Sequence, residues 1–142
     1  MTIAAILARK GHEVVGLDPD QSVLSAAELL ADKRIGAAPV LEGGRVIGIF
    51  SERDVIHCVK AQGAAGLEGP VRAAMTAPAI TVGPGDSVLG ALSLMTRRRI
   101  RHLPVCDDGA LIGFVSIGDL VKYRIDRIEA DAAAMRDYIQ NA

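Results

Sequence analysis

The chain has 142 residues, with 16 Lys+Arg against 17 Asp+Glu, and its net charge of −1 gives no field to steer it toward nucleic acid or anionic lipid. Half of the residues are hydrophobic but only 3% are aromatic and none is Trp, so Ala, Val, Ile and Leu must fill the core. Such a length suits one domain, or two subdomains of roughly 60 residues that each need the other's surface.

The early apolar run Ile3–Ala8 stops at Arg9 and Lys10, far short of the roughly 20 apolar residues of a membrane span. No signal peptide is visible, so a cytoplasmic protein without membrane contact is expected. A short extended stretch, Val14–Leu17, leads to Ser22, a natural N-cap for a helix whose apolar positions Val23, Ala26, Ala27 and Leu30 follow the helical period. Pro39 forces its neighbour toward extended geometry and opens a strand. Glu42-Gly43-Gly44 supplies a turn, Val46–Phe50 returns as a strand, and Ser51-Glu52-Arg53-Asp54 opens a second helix. Gly63, Gly66, Gly69 and Pro70 then mark a linker.

Shifting the sequence by 65 residues lays Val14–Ile56 on Ala79–Val121 without a gap, with 15 identities in 43 positions. The second copy has its own extended stretch (Ile80–Val82), N-cap (Ser87), helical stripe (Val88, Ala91, Leu92, Met95), strand-opening Pro104, turn (Asp107-Asp108-Gly109), return strand (Leu111–Val115) and helix start (Ser116–Asp119). The order β-α-β-β-α therefore occurs twice, and two pseudo-symmetric α+β halves packed sheet to sheet are predicted. The expected boundaries are 1–62 for the first repeat, 63–70 for the linker, 71–126 for the second repeat and 127–142 for a C-terminal helical extension. In that last helix Val121, Ile125, Ile128, Ala132, Met135 and Ile139 alternate spacings of four and three. This heptad-like seam either packs back on its own domain or docks on the same helix of a second chain.

The most informative segments are the matched GIFSERD (Gly48–Asp54) and GFVSIGD (Gly113–Asp119). Each Ser with an acidic residue three positions on is a capping box, and the same geometry suits a ligand: helix amides and hydroxyl attract phosphate, and the carboxylate accepts from a ribose diol. Repetition alone shows ancestry and does not choose between cap and site. Arg101-His102 precedes Pro104, whereas the first copy has Gly36 and Ala37 there. That asymmetry favours a site, with Arg101 able to hold phosphate bidentately. Cys58 and Cys106 form no CxxC, the three His cluster with no metal-ligand spacing, and no nucleophile motif is present, so neither a metal site nor catalysis is expected.

The repeat order, SV-x-x-A at Ser22 and Ser87, the junctions GAAPV (Gly36–Val40) and RHLPV (Arg101–Val105), and the two G-x-h-S-x-x-D segments together resemble a stand-alone bacterial pair of CBS domains, the regulatory module named after cystathionine β-synthase. The resemblance covers essentially the whole chain. It implies two βαββα CBS repeats that bind adenosine-containing ligands (AMP, ADP, ATP, S-adenosylmethionine or dinucleotides such as NADH) in clefts between them, with AMP as the expected regulatory ligand and no catalytic cofactor. Carried over by motif, Asp119 holds the ribose of one cleft, Ser116, Arg101 and His102 its phosphate, and Phe114, Val15 and Gly36 line the adenine, with Lys10 where the first repeat enters. In the other cleft Asp54 holds ribose, Ser51 and Arg53 phosphate, and Ile49, Ala79, Ile80 and Ile100 wall the adenine. A homodimer forming a flat disk and regulation in trans of another protein are also implied, with no nucleic-acid partner. The alternative is a protein-interaction and dimerisation module with vestigial pockets.

Overall fold

The computed structural model describes residues 1–141; Ala142, the last residue of the expected 127–142 extension, lies outside them. The elements are α1 (Ile3–Lys10), α2 (Val23–Lys33), β1 (Ala37–Glu42), β2 (Arg45–Ser51), α3 (Glu52–Gln62), a 3-10 turn (Gly63–Leu67), α4 (Val71–Ala74), α5 (Val88–Arg98), β3 (His102–Asp107), β4 (Ala110–Ser116) and α6 (Ile117–Asn141).

Local chemistry accounts for the repeated parts. The Ser22 and Ser87 hydroxyls accept from the amides of Ser25 and Gly90, capping α2 and α5 as the sequence predicts. Both helices end on a left-handed arginine, Arg34 (φ 55°) and Arg99 (φ 54°), which turns the chain into the following strand. β1–β2 and β3–β4 are antiparallel hairpins whose terminal pairs, Glu42 with Arg45 and Asp107 with Ala110, leave two-residue loops. Gly43-Gly44 and Asp108-Gly109 take positive φ at both positions, the turn that matches strand twist. The extended stretch before α2 and α5 contracts to one parallel bridge in each half, Leu17 to Val40 and Val82 to Val105.

The α+β halves thus form as expected, yet neither core is built from one repeat alone. The core containing Val88, Ala91, Met95, Leu103, Val105, Val115 and Leu120 also holds Ile3, Ile6 and Leu7 of α1. The core containing Leu17, Val23, Ala26, Leu30, Val40 and Phe50 holds Val71 of α4. Each helix preceding one repeat is therefore lent to the other. Matched hydrogen bonds fix the exchange: the Ile3 amide donates to the Asp86 carbonyl at 2.9 Å and the Val71 amide to the Gln21 carbonyl at 2.9 Å. Glycine makes room for it. A Cβ at Gly113 would lie 2.6 Å from the Leu7 side chain, and one at Gly48 would lie 2.7 Å from the Met75 sulfur and 2.9 Å from the Thr76 carbonyl oxygen. The 25-residue α6 runs on past the second core as one helix.

Because the cores share helices, the halves should unfold together. Leu7→Ala is expected to remove about 2–5 kcal/mol in urea denaturation, in a single transition seen alike by far-ultraviolet circular dichroism and Tyr fluorescence. A separate transition retaining the first half would contradict the coupling.

Candidate functional site

A cleft of about 360 Å³ opens between the halves. One wall comes from the first half: Glu13, Val14 and Val15 on the segment after α1, and Arg34, Ile35, Gly36 and Ala37 at the turn from α2 into β1. The other comes from His102 at the start of β3, Phe114 and Ser116 at the end of β4, and Asp119 in the first turn of α6, with Lys10 entering from the end of α1. Pairing register builds the second wall. His102 faces Ser116 across the hairpin, and Phe114, two residues earlier, points to the same side. The His102 and Phe114 rings stack at 5.6 Å between centroids with 13° between planes.

Asp119 and Ser116 form the reciprocal cap read from the sequence. The Ser116 amide donates to Asp119 Oδ2 at 2.8 Å, and the Asp119 amide donates to Ser116 Oγ at 3.1 Å. The cap is also part of the cleft, because Lys10 Nζ donates to the same Oδ2 at 2.6 Å and to the Phe114 carbonyl at 2.7 Å. Burial pushes the Asp119 carboxyl upward, but the bonds from Lys10 and Ser116 outweigh it and hold the pKa below the ordinary carboxylate value. His102 goes the opposite way for a base: burial, then the Lys10 charge, push its pKa below 6.5, so the imidazole is neutral at pH 7. A neutral ring there can both donate and accept a hydrogen bond.

Seven of the eight residues assigned to this cleft line it: Lys10, Val15, Gly36, His102, Phe114, Ser116 and Asp119. Arg101 does not. It is exposed, and its carbonyl accepts from the Ile117 amide at 2.8 Å. Sequence reading missed Glu13, Val14, Arg34, Ile35 and Ala37 on the opposite wall. Arg34 carried a signal, since it is one of the identities between copies and its match Arg99 ends the equivalent helix.

The second set is arranged differently. Asp54 Oδ2 accepts from the Ser51 amide at 2.9 Å and from Ser51 Oγ at 3.2 Å, while Oδ1 accepts from Thr76 Oγ1 at 3.4 Å. α4 is four residues long where α1 has eight, and the chain leaves it to pair Thr76 with Ile49. A threonine therefore meets Asp54 where a lysine meets Asp119. Ile80 and Ile100 pack against the second core. None of Ile49, Ser51, Arg53, Asp54, Ala79, Ile80 and Ile100 lines this cleft or a neighbouring cavity of about 240 Å³ between α1 and α6. That smaller cavity shares Lys10 and Asp119 with the cleft and is lined by Arg9, which bonds Asp126 at 3.1 Å and lies over the Tyr123 ring. Among the described residues no group of three or more His, Cys, Asp or Glu side chains is placed to hold a metal ion, and no helix is long and apolar enough to cross a membrane.

Two βαββα-like halves with a cleft of charged and apolar side chains between them define a tandem-repeat architecture. The chain belongs to the CBS domain family: the family model matches residues 6–61 and again 71–126. The CBS domain-containing protein YhcV of Bacillus subtilis is 33% identical over 129 residues, which are 91% of each chain. The CBS-domain protein ATU1752 of Agrobacterium tumefaciens superimposes with a TM-score of 0.84 at 41% identity, covering 87% of this chain and 99% of that one. The CBS domain protein PAE2072 of Pyrobaculum aerophilum, solved in complex with AMP, superimposes with a TM-score of 0.75 at 29% identity over 84% of this chain and 89% of its own.

The depressed His102 pKa has a signed consequence for stability. As pH falls from about 7 through 6.5, the unfolded chain binds the imidazole proton before the folded one does, so unfolding free energy falls. Asp119 acts in the same direction but only near and below 3.8. Urea titrations between pH 5 and 8 should show the first loss in wild type and a flatter limb in His102→Asn; equal slopes would exclude His102 as its source.

Proposed function

We propose that this chain is a regulatory module that binds an adenosine-containing nucleotide, AMP foremost, in the cleft between its two repeats and performs no chemistry on it. The observation that carries this reading is the meeting in one cleft of Lys10, Val15, Gly36, His102, Phe114, Ser116 and Asp119, drawn from both repeats. The AMP complex of the Pyrobaculum relative supports the ligand class. In this reading the base lies against Val15, Gly36 and Phe114, the Asp119 carboxylate accepts from the ribose hydroxyls, and Ser116 and His102 face the phosphate, with Arg101 approaching from the rim.

The ligand touches both repeats and so favours whichever arrangement closes the cleft. Ribose hydroxyls at Asp119 also compete with Lys10 Nζ, which couples occupancy to α1 and through it to α6. The protein acts in trans, in the cytoplasm, on a target protein. Self-association as a homodimeric disk belongs to the same reading and is supported by apolar side chains left exposed at matched positions, Ile56 on α3 and Val121 on α6. The Asp54 set, with Thr76 in place of a lysine, is the weaker site for an anionic ligand.

Calorimetry against AMP, ADP, ATP, NADH, S-adenosylmethionine and GTP tests the proposal. A selective adenosine ligand at a hundred times its Kd should raise the melting temperature by roughly 5–10 °C. Asp119→Ala should weaken it by about 10- to 100-fold, the effect of a lost hydrogen bond to a charged group, and Asp54→Ala far less. Because a phosphate beside His102 favours the protonated imidazole, affinity relative to His102→Gln should increase as pH falls below 7, and a ratio independent of pH would exclude His102 as a phosphate contact. No binding by ligand-free protein would leave the interaction module with vestigial pockets as the better reading, and unchanged partner binding in Asp54→Ala/Asp119→Ala would then be expected.

A further inference from the structure

Every residue of α6 from 127 to 141 is exposed. Isolated helices of this length, about 12–15 residues, are marginal in water, so the segment needs a surface to lie on. Its apolar row makes one available: Val121, Ile125, Ile128, Ala132, Met135 and Ile139 fill the d and a positions of successive heptads, and exposure rises along them from 42% at Val121 through 53% at Ile128 to 67% at Ile139. The groups that hold α6 to its own domain, buried Leu120, half-buried Tyr123 and the Asp126 carboxylate on Arg9, lie about 100–160° round the helix axis from that row. The row thus faces away from its own domain.

Flanking charges decide what covers it. With Val121 at d, the g positions are Arg124 and Asp131 and the e positions that answer them are Glu129 and Arg136. In a parallel, in-register pair each g residue faces the e residue five positions further along the other helix. Arg124 of one copy then faces Glu129 of the other, and Asp131 faces Arg136, opposite in sign both times and doubled by symmetry. An antiparallel pair centred on the same row sets Glu129 against Glu129, Asp131 against Asp131 and Lys122 against Arg136, all like-charged.

We propose that the C-terminal half of α6 is a dimerisation arm that pairs with the same arm of a second copy as a parallel, in-register, two-stranded coiled coil. The proposal rests on the reading of the chain as self-associating and is independent of nucleotide binding. It brings both second repeats to the same end of the assembly, one on either side of the coiled coil.

The test uses the full chain, with sedimentation velocity to give mass and dimer Kd. Met135→Cys, in a background of Cys58→Ser and Cys106→Ser, should form a disulfide-linked dimer in glutathione buffer, because parallel pairing sets the two d positions side by side. Met135→Lys/Ile139→Lys changes only exposed residues and should weaken the dimer at least ten-fold while the thermal melt of the globular part stays in place. Asp131→Arg should weaken it as well, and adding Arg136→Asp should restore it. A monomeric wild type would overturn self-association and the arm together. A wild-type dimer whose Kd ignores the arm substitutions, or that fails to cross-link at position 135, would overturn the arm alone, and so would a trimer.

Discussion

Each hydrophobic core in this protein is completed by a helix that the other repeat contributes. α1 lies on the core of the second half and α4 on that of the first, and in both places the chain comes close enough to a strand that a Cβ on the glycine there would collide with it, at Gly113 with Leu7 and at Gly48 with Met75 and the Thr76 carbonyl. Subdomains of roughly 60 residues bury too little surface to be stable alone, and the exchange is how two of them become one cooperative unit. It also makes the interface between halves part of the cores themselves, and the cleft lies at that interface.

The departure from symmetry follows from the same exchange. Eight residues of α1 carry Lys10 past the core to the β4–α6 junction, where it bonds Asp119 and the Phe114 carbonyl. α4 stops after four residues, and the chain spends Thr76 on a backbone pair with Ile49 and a hydroxyl contact to Asp54. One duplicated Ser-x-x-Asp segment therefore carries a cation and the other does not. The shorter α4, together with Met75 at the position matched to Lys10 and with Ala37 and Ile49 at those matched to His102 and Phe114, separates their chemistry.

Much of this was legible in the sequence, because local rules governed it. Ser caps, Pro39 and Pro104 at the strand starts, and turn residues with positive φ are short-range signals, and the 65-residue repeat doubled each of them. What escaped was long-range. The repeat alignment begins at Val14, after α1, so nothing in it could tell which core Ile3, Ile6 and Leu7 would join. The extended stretches before α2 and α5 read as strands but make one bridge each, since a chain that crosses the sheet edge once needs no more. Glu13 and Val14 entered the cleft unannounced because a wall assembled from the opposite half has no sequence period of its own.

The charges of that cleft define what it can discriminate. Lys10 and Arg34 are balanced by Glu13 and Asp119, two cations against two carboxylates, so without ligand the lining is neutral once His102 is uncharged. A nucleoside without phosphate would meet a balanced site. A phosphate dianion would bring charge that the fixed groups already answer among themselves, and two responses are open to the cleft. Lys10 can turn from Asp119 as ribose hydroxyls take its place, and His102 can bind a proton. Both weaken interactions that the free protein uses, the first the tie between α1 and α6, the second the favourable burial of a neutral ring against Phe114. In the proposed reading, phosphate recognition in such a cleft is therefore coupled to how α1 and α6 are held together through Lys10 and Asp119.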